Sequence, residues 1–450
     1  MALSGTQIFK LLPKTNCGEC GVPTCLAFAM ALAGGKAELA RCRYISEQAK
    51  AALTEASAPP IRTVEIGAGA EALKIGGETV LFRHEKSFIN KPGLALLLTD
   101  AMDEAEIAAR VKRFIELRYL RVGQNLKGDL LALKCTTGDP NKFLALLNKV
   151  RDTAGAKFIL ISDQPDILKA GAQALAGFKP LLYAATEANA EAMAAAAKET
   201  GCPLTVKAEG LDKLAALTAK LEALGIHDLV LDPGRRQLKR AFEDQVAIRR
   251  SALLTKFKPL GFPTIVFPCE MTDDPIQEAL YAATFIAKYA GIIVLSDFQG
   301  EMLFPLLLAR LNIYTDPQRP MVTEPMVYDI GAVNETSPLL VTSNFALTYF
   351  IVSGEIESSR IPARLLVVDT EGLSVLTAWA AGKFAGDLIG QAIKRSGVAE
   401  RMKSRKVVIP GLAAIISGDL EEELGAEWEV LIGPREAAHI TPFLKQLCHP

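Results

Sequence analysis

The sequence predicts a multidomain α/β protein: a small cysteine-bearing segment, a (β/α)8 TIM-like barrel and a C-terminal flavodoxin-like (Rossmann-like) sheet. Three observations carry this reading. Four of the 8 cysteines, Cys17, Cys20, Cys25 and Cys42, crowd residues 1–57. Between residues 92 and 315 short apolar runs alternate with amphipathic stretches, the pattern of consecutive βα units. After residue 325 further apolar runs follow, several ending in polar or glycine-bearing turns, as in an open parallel sheet. With 450 residues the chain is also too long for one core, since single cores stop growing near ~250–300 residues.

The elements follow in order. Residues 1–57 hold two short helical stretches, Gln7–Leu12 and Cys25–Ala33, and end at Ser57-Ala58-Pro59-Pro60, where consecutive prolines stop a helix. Residues 58–91 read as a hairpin linker with β-like runs Thr63–Ile66, Leu73–Ile75 and Thr79–Phe82. Within it Gly67-Ala68-Gly69-Ala70-Glu71-Ala72 fits a dinucleotide fingerprint, yet that motif needs a helix opening at its glycines. Gly76-Gly77 cuts any such helix short, so the motif is a hairpin turn. Barrel strands are expected at Leu94–Leu98, Leu130–Leu133, Phe158–Ile161, Leu181–Ala184, Leu204–Val206, Leu229–Leu231, Thr264–Phe267 and Ile292–Leu295. Helices such as Ala188–Lys198, Leu211–Leu224 and Ile276–Tyr289 lie between them, and a doubly wound open sheet is the competing layout. In residues 325–450 the strands are Leu339–Val341, Leu365–Val368, Val407–Ile409 and Glu429–Ile432, with helices at Leu347–Ile356, Val375–Phe384 and Ala437–Leu447.

Composition excludes several classes. Hydrophobic residues at 50% and charged residues at 22% describe an ordinary globular chain. The balance of 50 Lys+Arg against 51 Asp+Glu supplies no overall attraction to nucleic acid or anionic lipid. The N-terminus lacks the basic and apolar stretches of a signal peptide, and the best charge-poor stretch, Thr336–Gly354, is too polar to span a bilayer. A cytoplasmic protein with reduced cysteines is expected. His84, His227, His439 and His449 form no H-E-x-x-H pair, and no P-loop or G-x-S-x-G elbow occurs. Arg235-Arg236, Lys239-Arg240 and Arg249-Arg250 are expected to form a solvated helix face. Cys135, Cys202, Cys269 and Cys448 are scattered singly and read as small buried hydrophobes.

Two constellations carry chemistry. The cysteines are spaced C-x2-C-x4-C-x16-C, and four thiolates this close bind either structural zinc or an iron–sulfur cluster. Zinc favours paired knuckles, whereas here the third and fourth ligands are unpaired and Gly18 and Gly21 permit a tight loop, so a [4Fe–4S] cluster ranks first. In the C-terminal block, Thr342-Ser343-Asn344, Asp369-Thr370-Glu371-Gly372-Leu373-Ser374, Pro410-Gly411 and Gly433-Pro434-Arg435-Glu436 all fall at expected strand ends. Their glycines let a large ligand approach the backbone.

Further segments carry a resemblance: Ile330-Gly331-Ala332-Val333-Asn334-Glu335-Thr336-Ser337-Pro338, Gly354-Glu355-Ile356-Glu357-Ser358, Asp369 to Ala378, and Gly433 to Ala437. With the cysteine loop and the barrel-like middle, the chain resembles the large (gamma) subunit of the corrinoid iron–sulfur protein of the reductive acetyl-CoA pathway, a route of carbon fixation. The resemblance implies a methyl carrier, the subunit of a corrinoid-dependent methyltransferase system. In that family a Co(I) corrinoid accepts the methyl group of methyltetrahydrofolate through a separate methyltransferase and passes it to acetyl-CoA synthase. The cluster returns an electron to cobalt that has slipped to Co(II). By the same implication Cys17, Cys20, Cys25 and Cys42 hold the [4Fe–4S] cluster. The corrinoid is a base-off cobalamin-type cofactor without histidine ligation, bound at the interface with a barrel-shaped small subunit in a heterodimer. The residues expected around it are Leu340, Thr342, Ser343, Asn344, Ala346, Thr370, Glu371, Gly372, Leu373, Ser374, Gly411, Gly433, Pro434 and Arg435, with Ser374 near the cobalt's lower face. Two alternatives remain: a barrel methyltransferase binding a pterin near Asp232-Pro233-Gly234, and a cluster-only electron-transfer module.

Overall fold

A computed structural model describes residues 5–33, 37, 39–46, 49–50, 53, 59–121, 124–153, 155–316 and 320–448. Ser57 and Ala58, where the first boundary is expected, lie outside the described residues. The chain divides into two compact units. One comprises Met1–Leu81, Phe88–Arg113 and Gly128–Arg310; the other comprises Phe82–Ser87, Phe114–Lys127 and Leu311–Pro450.

In the first unit β1 (Thr63–Ile66) and β2 (Leu73–Gly76) form an antiparallel hairpin across the Gly67–Ala72 turn, so the glycine motif opens no helix. The third expected run, Thr79–Phe82, is not a strand. Its carbonyls are taken by side chains: Val80 O accepts from Arg249 Nη2 at 2.7 Å and Leu81 O from Tyr289 Oη at 2.9 Å. Eight parallel strands follow, counting β3 (Gly93–Thr99) and, after a short excursion through β4 (Tyr119–Arg121) and β5 (Gln124–Leu126), β6 (Leu130–Lys134), β7 (Lys157–Ile161) and β8 (Leu181–Ala185). The rest are β9 (Leu204–Lys207), β10 (Leu229–Asp232), β11 (Ile265–Val266) and β12 (Ile292–Leu295). They pair in the order β10-β9-β8-β7-β6-β3-β12-β11, and a parallel bridge from Leu231 to Thr264 joins the two ends. That bridge makes a closed barrel and rejects the open sheet. Its interior is packed with side chains including Ala95, Leu130, Ile159, Leu181, Val230 and Ile292, and Val64, Ile66 and Ile75 of the hairpin enter the same core. The hairpin's apolar face is therefore part of the barrel's packing.

The second unit centres on five strands in the order β13 (Val327–Ile330), β15 (Ala363–Val368), β14 (Leu339–Ser343), β16 (Lys406–Ile409) and β17 (Glu429–Ile432). The last four are parallel, and β13 is an antiparallel edge. Alternate residues enter two cores: Leu339, Val341, Leu366 and Val368 face one layer, and Leu340, Leu365 and Val367 the other. Burial on both faces is what makes these strands read as unbroken apolar runs. The helix expected over Val375–Phe384 stops at Ala380, because the chain turns through Gly382 at φ +69° and restarts as Gly386–Ser396. Arg83 is tied into this unit by bonds to Asn312 O (2.7 Å) and Ile313 O (2.8 Å). No helix among the described residues is long and apolar enough to cross a membrane.

Candidate functional site

The cysteine segment is built on two helices, Gly5–Leu11 and Cys25–Ala33, whose Ile8, Phe28 and Ala29 form a small core with Leu12, just past the first helix. Cys25 and Cys42 are buried in that core, Cys20 packs against it, and Cys17 is exposed. Asn16 Oδ1 accepts from Cys25 N at 2.8 Å, and Gly18 and Gly21 bend the intervening loop at φ +76° and +87°. The structure thus gathers three of the four expected ligands around one small core. No three His, Cys, Asp or Glu side chains among the described residues converge on a single ion position. The donor set suits a cluster: soft thiols beside a small apolar core, on a loop whose left-handed glycines leave space beside the backbone.

In the C-terminal unit β14 pairs with β15 on one side and β16 on the other, so the chain reverses its winding there. Open α/β sheets bind ligands at the carboxyl ends of strands at such a switch point. A cavity of about 250 Å³ opens there, lined by residues including Leu340, Thr342, Ser374, Pro410, Gly433 and Arg435. Among the described residues no histidine lines it; His439 is exposed between Ala437 and Ile440, which do. The backbones crowd one rim: a Cβ on Gly411 would meet Gly433 O and lie 2.9 Å from Pro434 C, so only glycine fits.

At the end of β14 two hydroxyls are left over. Thr342 Oγ1 and Ser343 Oγ have no hydrogen-bond partner among the described residues, although both residues are at most 1% exposed. Asn344 is the opposite case. Its Oδ1 accepts from Thr370 N (3.0 Å), Thr370 Oγ1 (2.8 Å) and Gly372 N (2.9 Å), and its Nδ2 donates to Asp369 Oδ1 at 3.0 Å. The loop it holds turns through Glu371 and Gly372 at positive φ and delivers Ser374 to the start of helix Val375–Ala380. Of the other expected residues, Ala346 is buried, Leu373 is half-buried with its carbonyl 2.8 Å from Thr370 Oγ1, whose one proton it shares with Asn344 Oδ1, and Glu371 is exposed and paired with Lys383.

At the barrel's C-terminal mouth Asp232 and Arg236, both singled out in the sequence, meet Tyr183, Glu270 and Lys134, which sequence reasoning missed. Tyr183 Oη donates to the buried Asp232 Oδ2 at 2.5 Å, and Arg236 bonds both Asp232 oxygens, Tyr183 Oη and, at 2.6 Å, Glu270 Oε2. Lys134 completes the set on Glu270 at 2.8 Å, and the Arg236 guanidinium lies 4.7 Å from the Phe267 ring centroid. Burial, with Asp232 beside it, pushes the Tyr183 phenol up. Arg236 is therefore not part of a solvated basic face, and neither is Arg249, which is 2% exposed; tertiary carboxylates draw both inward. Asp232, which suggested a pterin site, already spends its oxygens on Arg236, Tyr183 and Gly234 N. Arg236→Ala should cost roughly 3–5 kcal/mol by stranding a buried carboxylate, read by urea unfolding, while bound cobalt and iron stay unchanged. A loss of cobalt without unfolding would move the ligand to this mouth.

Comparison with known proteins agrees with the sequence resemblance. The family model for the CO dehydrogenase/acetyl-CoA synthase delta subunit matches residues 63–444, and one described as a putative Fe-S cluster matches residues 12–44. The corrinoid/iron-sulfur protein large subunit of Moorella thermoacetica is 46% identical over 445 residues, covering 99% of each chain. The acetyl-CoA decarbonylase/synthase complex subunit gamma of Methanopyrus kandleri is 36% identical over 455 residues, covering 99% of this chain and 98% of that one. Among solved structures, dihydropteroate synthase from Thermus thermophilus matches at TM-score 0.38 and 17% identity, covering 56% of this chain and 100% of that one. The chain belongs to the CO dehydrogenase/acetyl-CoA synthase delta subunit family, together with the corrinoid/iron–sulfur protein large subunit and the acetyl-CoA decarbonylase/synthase gamma subunits.

Proposed function

We propose that this chain is the corrinoid methyl carrier of the acetyl-CoA pathway, with residues 1–57 carrying the cluster, 58–91 linking, 92–315 forming the barrel and 325–450 binding the corrinoid. When bound, the corrinoid supplies a cobalt centre that takes up and gives up a methyl group, and the [4Fe–4S] cluster supplies an electron that restores it. Cys17, Cys20, Cys25 and Cys42 hold the cluster. Leu340, Thr342, Gly433, Pro434 and Arg435 form the slot for the cofactor, and Ser343, Ala346, Thr370–Ser374 and Gly411 shape its walls. The observation that carries this reading is the pair of buried, partnerless hydroxyls on Thr342 and Ser343 at the switch point. A buried polar atom with no partner calls for a ligand or water to satisfy it. Helix Val375–Ala380 packs against the Gly411–Ile416 turn, and Leu376, Trp379, Leu412 and Ile415 stand exposed on them, a surface suited to the small subunit of a heterodimer. The methyltransferase and acetyl-CoA synthase are the transient partners, and the setting is cytoplasmic.

The full chain, purified anaerobically with its small subunit, should show corrinoid and cluster absorption together with cobalt and iron. A preparation that takes up no cobalt on reconstitution with hydroxocobalamin would overturn the assignment. Thr342→Val gives a sharper check. Removing a partnerless buried hydroxyl should stabilise the corrinoid-free protein by about 1–2 kcal/mol, read as a higher melting temperature, while weakening corrinoid retention. Equal retention by the variant would exclude Thr342 from the site. The base-off state is supported by a histidine-free lining and by Ser374, a neutral hydroxyl and thus a weak ligand. The Co(II) protein should then give an EPR spectrum without axial nitrogen splitting; a nitrogen triplet would show a nitrogen ligand instead.

A further inference from the structure

We infer that Asn344 is a positioning residue: it holds the 369–374 loop in register with the end of β14 and makes no contact of its own with the cofactor. The inference rests on the corrinoid reading above. Three facts about this residue carry the inference.

Its hydrogen bonds are made inside the protein. The backbone N donates to Val368 O at 2.9 Å and the backbone O accepts from Thr323 N at 2.8 Å. The side-chain Oδ1 accepts three bonds from Thr370 and Gly372, and Nδ2 donates to Asp369. A side-chain carbonyl has two lone pairs, so this oxygen is saturated. Thr342 and Ser343, by contrast, carry partnerless hydroxyls.

The second fact is burial. Asn344 is 3% exposed and Thr370 is 0% exposed, and Asn344 does not line the cavity, whereas Thr342 and Ser374 do. The third is geometry. The loop must pass through two consecutive positive-φ residues, Glu371 at +55° and Gly372 at +80°, to bring Ser374 round to the cavity. Glu371 is costly in that conformation, since an L side chain there crowds the backbone. The Thr370 and Gly372 amides that flank it both end on Asn344 Oδ1, so this one atom over-determines the turn. Asparagine suits the position because it accepts from the loop amides with one arm and donates to the Asp369 carboxylate with the other.

The Asn344–Asp369 pair can be reversed, which supplies the test. In Asn344→Asp the oxygen still accepts from Thr370 and Gly372, but two carboxylates now face each other. In the double variant Asn344→Asp/Asp369→Asn the amide sits at position 369 and the carboxylate at position 344, so the bond runs the other way. The exchange is not free of cost: Asp369 Oδ1 accepts from both Asn344 Nδ2 and Glu371 N, so an amide that donates from that place leaves Glu371 N without its acceptor. Full-length chains with the small subunit are titrated with hydroxocobalamin, and the Co(II) EPR spectrum and melting curve of each are recorded. Asn344→Ala and Asn344→Asp should each bind about tenfold or more weakly, the loss expected when buried amides lose an acceptor or like charges meet. Both should broaden or shift the Co(II) signal. The double variant should bind more tightly than Asn344→Asp and move the spectrum back towards the wild type, short of full recovery because Glu371 N has lost its acceptor. Wild-type binding by Asn344→Ala, or a double variant no better than Asn344→Asp, would overturn the positioning role. If Asn344→Ala does not fold, the comparison of the single and double aspartate variants decides alone. Failure of the wild-type chain to bind hydroxocobalamin would instead overturn the corrinoid reading itself.

Discussion

Cys20→Ala should yield a folded protein that has lost its cluster iron and kept its cobalt. A cluster held by four thiolates carries about four irons, and of the four proposed ligands Cys20 packs against the segment's core without being fully enclosed by it. Its loss removes a donor while leaving Ile8, Leu12, Phe28 and Ala29 in place, so the two helices should persist. Iron and cobalt measured on the same anaerobic preparation check this. The variant should also reactivate oxidised cobalt slowly while transferring methyl groups normally once reduced chemically. Iron at wild-type level, or stoichiometric zinc in the wild type, would sink the cluster assignment.

Arg249→Ala should be, with Arg236→Ala, among the most destabilising single changes in the barrel unit. Arg249 is 2% exposed, pairs with the 5% exposed Glu78 at 3.1 Å, and donates twice to Val80 O. Its guanidinium lies 4.8 Å from the Tyr289 ring centroid and 5.1 Å from that of Phe88. Removing it strands a buried carboxylate, which costs roughly 3–5 kcal/mol, against a total of about 5–15 kcal/mol for a domain. The pH dependence has a definite sign. Burial raises the Glu78 carboxyl above its ordinary value, and the Arg249 charge opposes that rise. Between the unfolded and folded values the folded state holds the extra proton, so stability falls as pH rises through that window. Without Arg249 the folded value climbs further and the window widens. Urea unfolding should show the variant's deficit largest at neutral pH and shrinking as acid protonates Glu78. An equal deficit at neutral and acid pH would mean the ion pair contributes little.

Much of the architecture was legible because parallel strands buried on both faces leave unbroken apolar runs. All eight barrel runs became strands or, at Thr264–Phe267, a shortened one. The antiparallel β13 was not legible: Val327-Tyr328-Asp329-Ile330 is four residues long with a charge inside, and only pairing with β15 makes it a strand. Charges misled where a distant partner buries them. Nothing local says that Arg249 will find Glu78, 171 residues away, or that Arg236 will meet Glu270. At the C-terminal site, polar strand ends marked the place of the cavity, but the division of labour among adjacent residues was invisible. Whether Thr342, Ser343 or Asn344 keeps a free polar atom depends on a loop 26 residues further on.

The interleaving of the chain between its two units sets an order of events during synthesis. The segments Phe82–Ser87 and Phe114–Lys127 leave the ribosome long before Leu311–Pro450, the bulk of the unit they join. Arg83 must wait for Ile313, 230 residues later, which at about 5–20 residues per second is roughly 10–50 s. The barrel can close within that interval, since its last strand, Ile292–Leu295, emerges first. The later unit then assembles onto segments already anchored at both ends by a folded barrel, which shortens the loops it must close. A nascent chain arrested before residue 311 should accordingly show both segments open to protease.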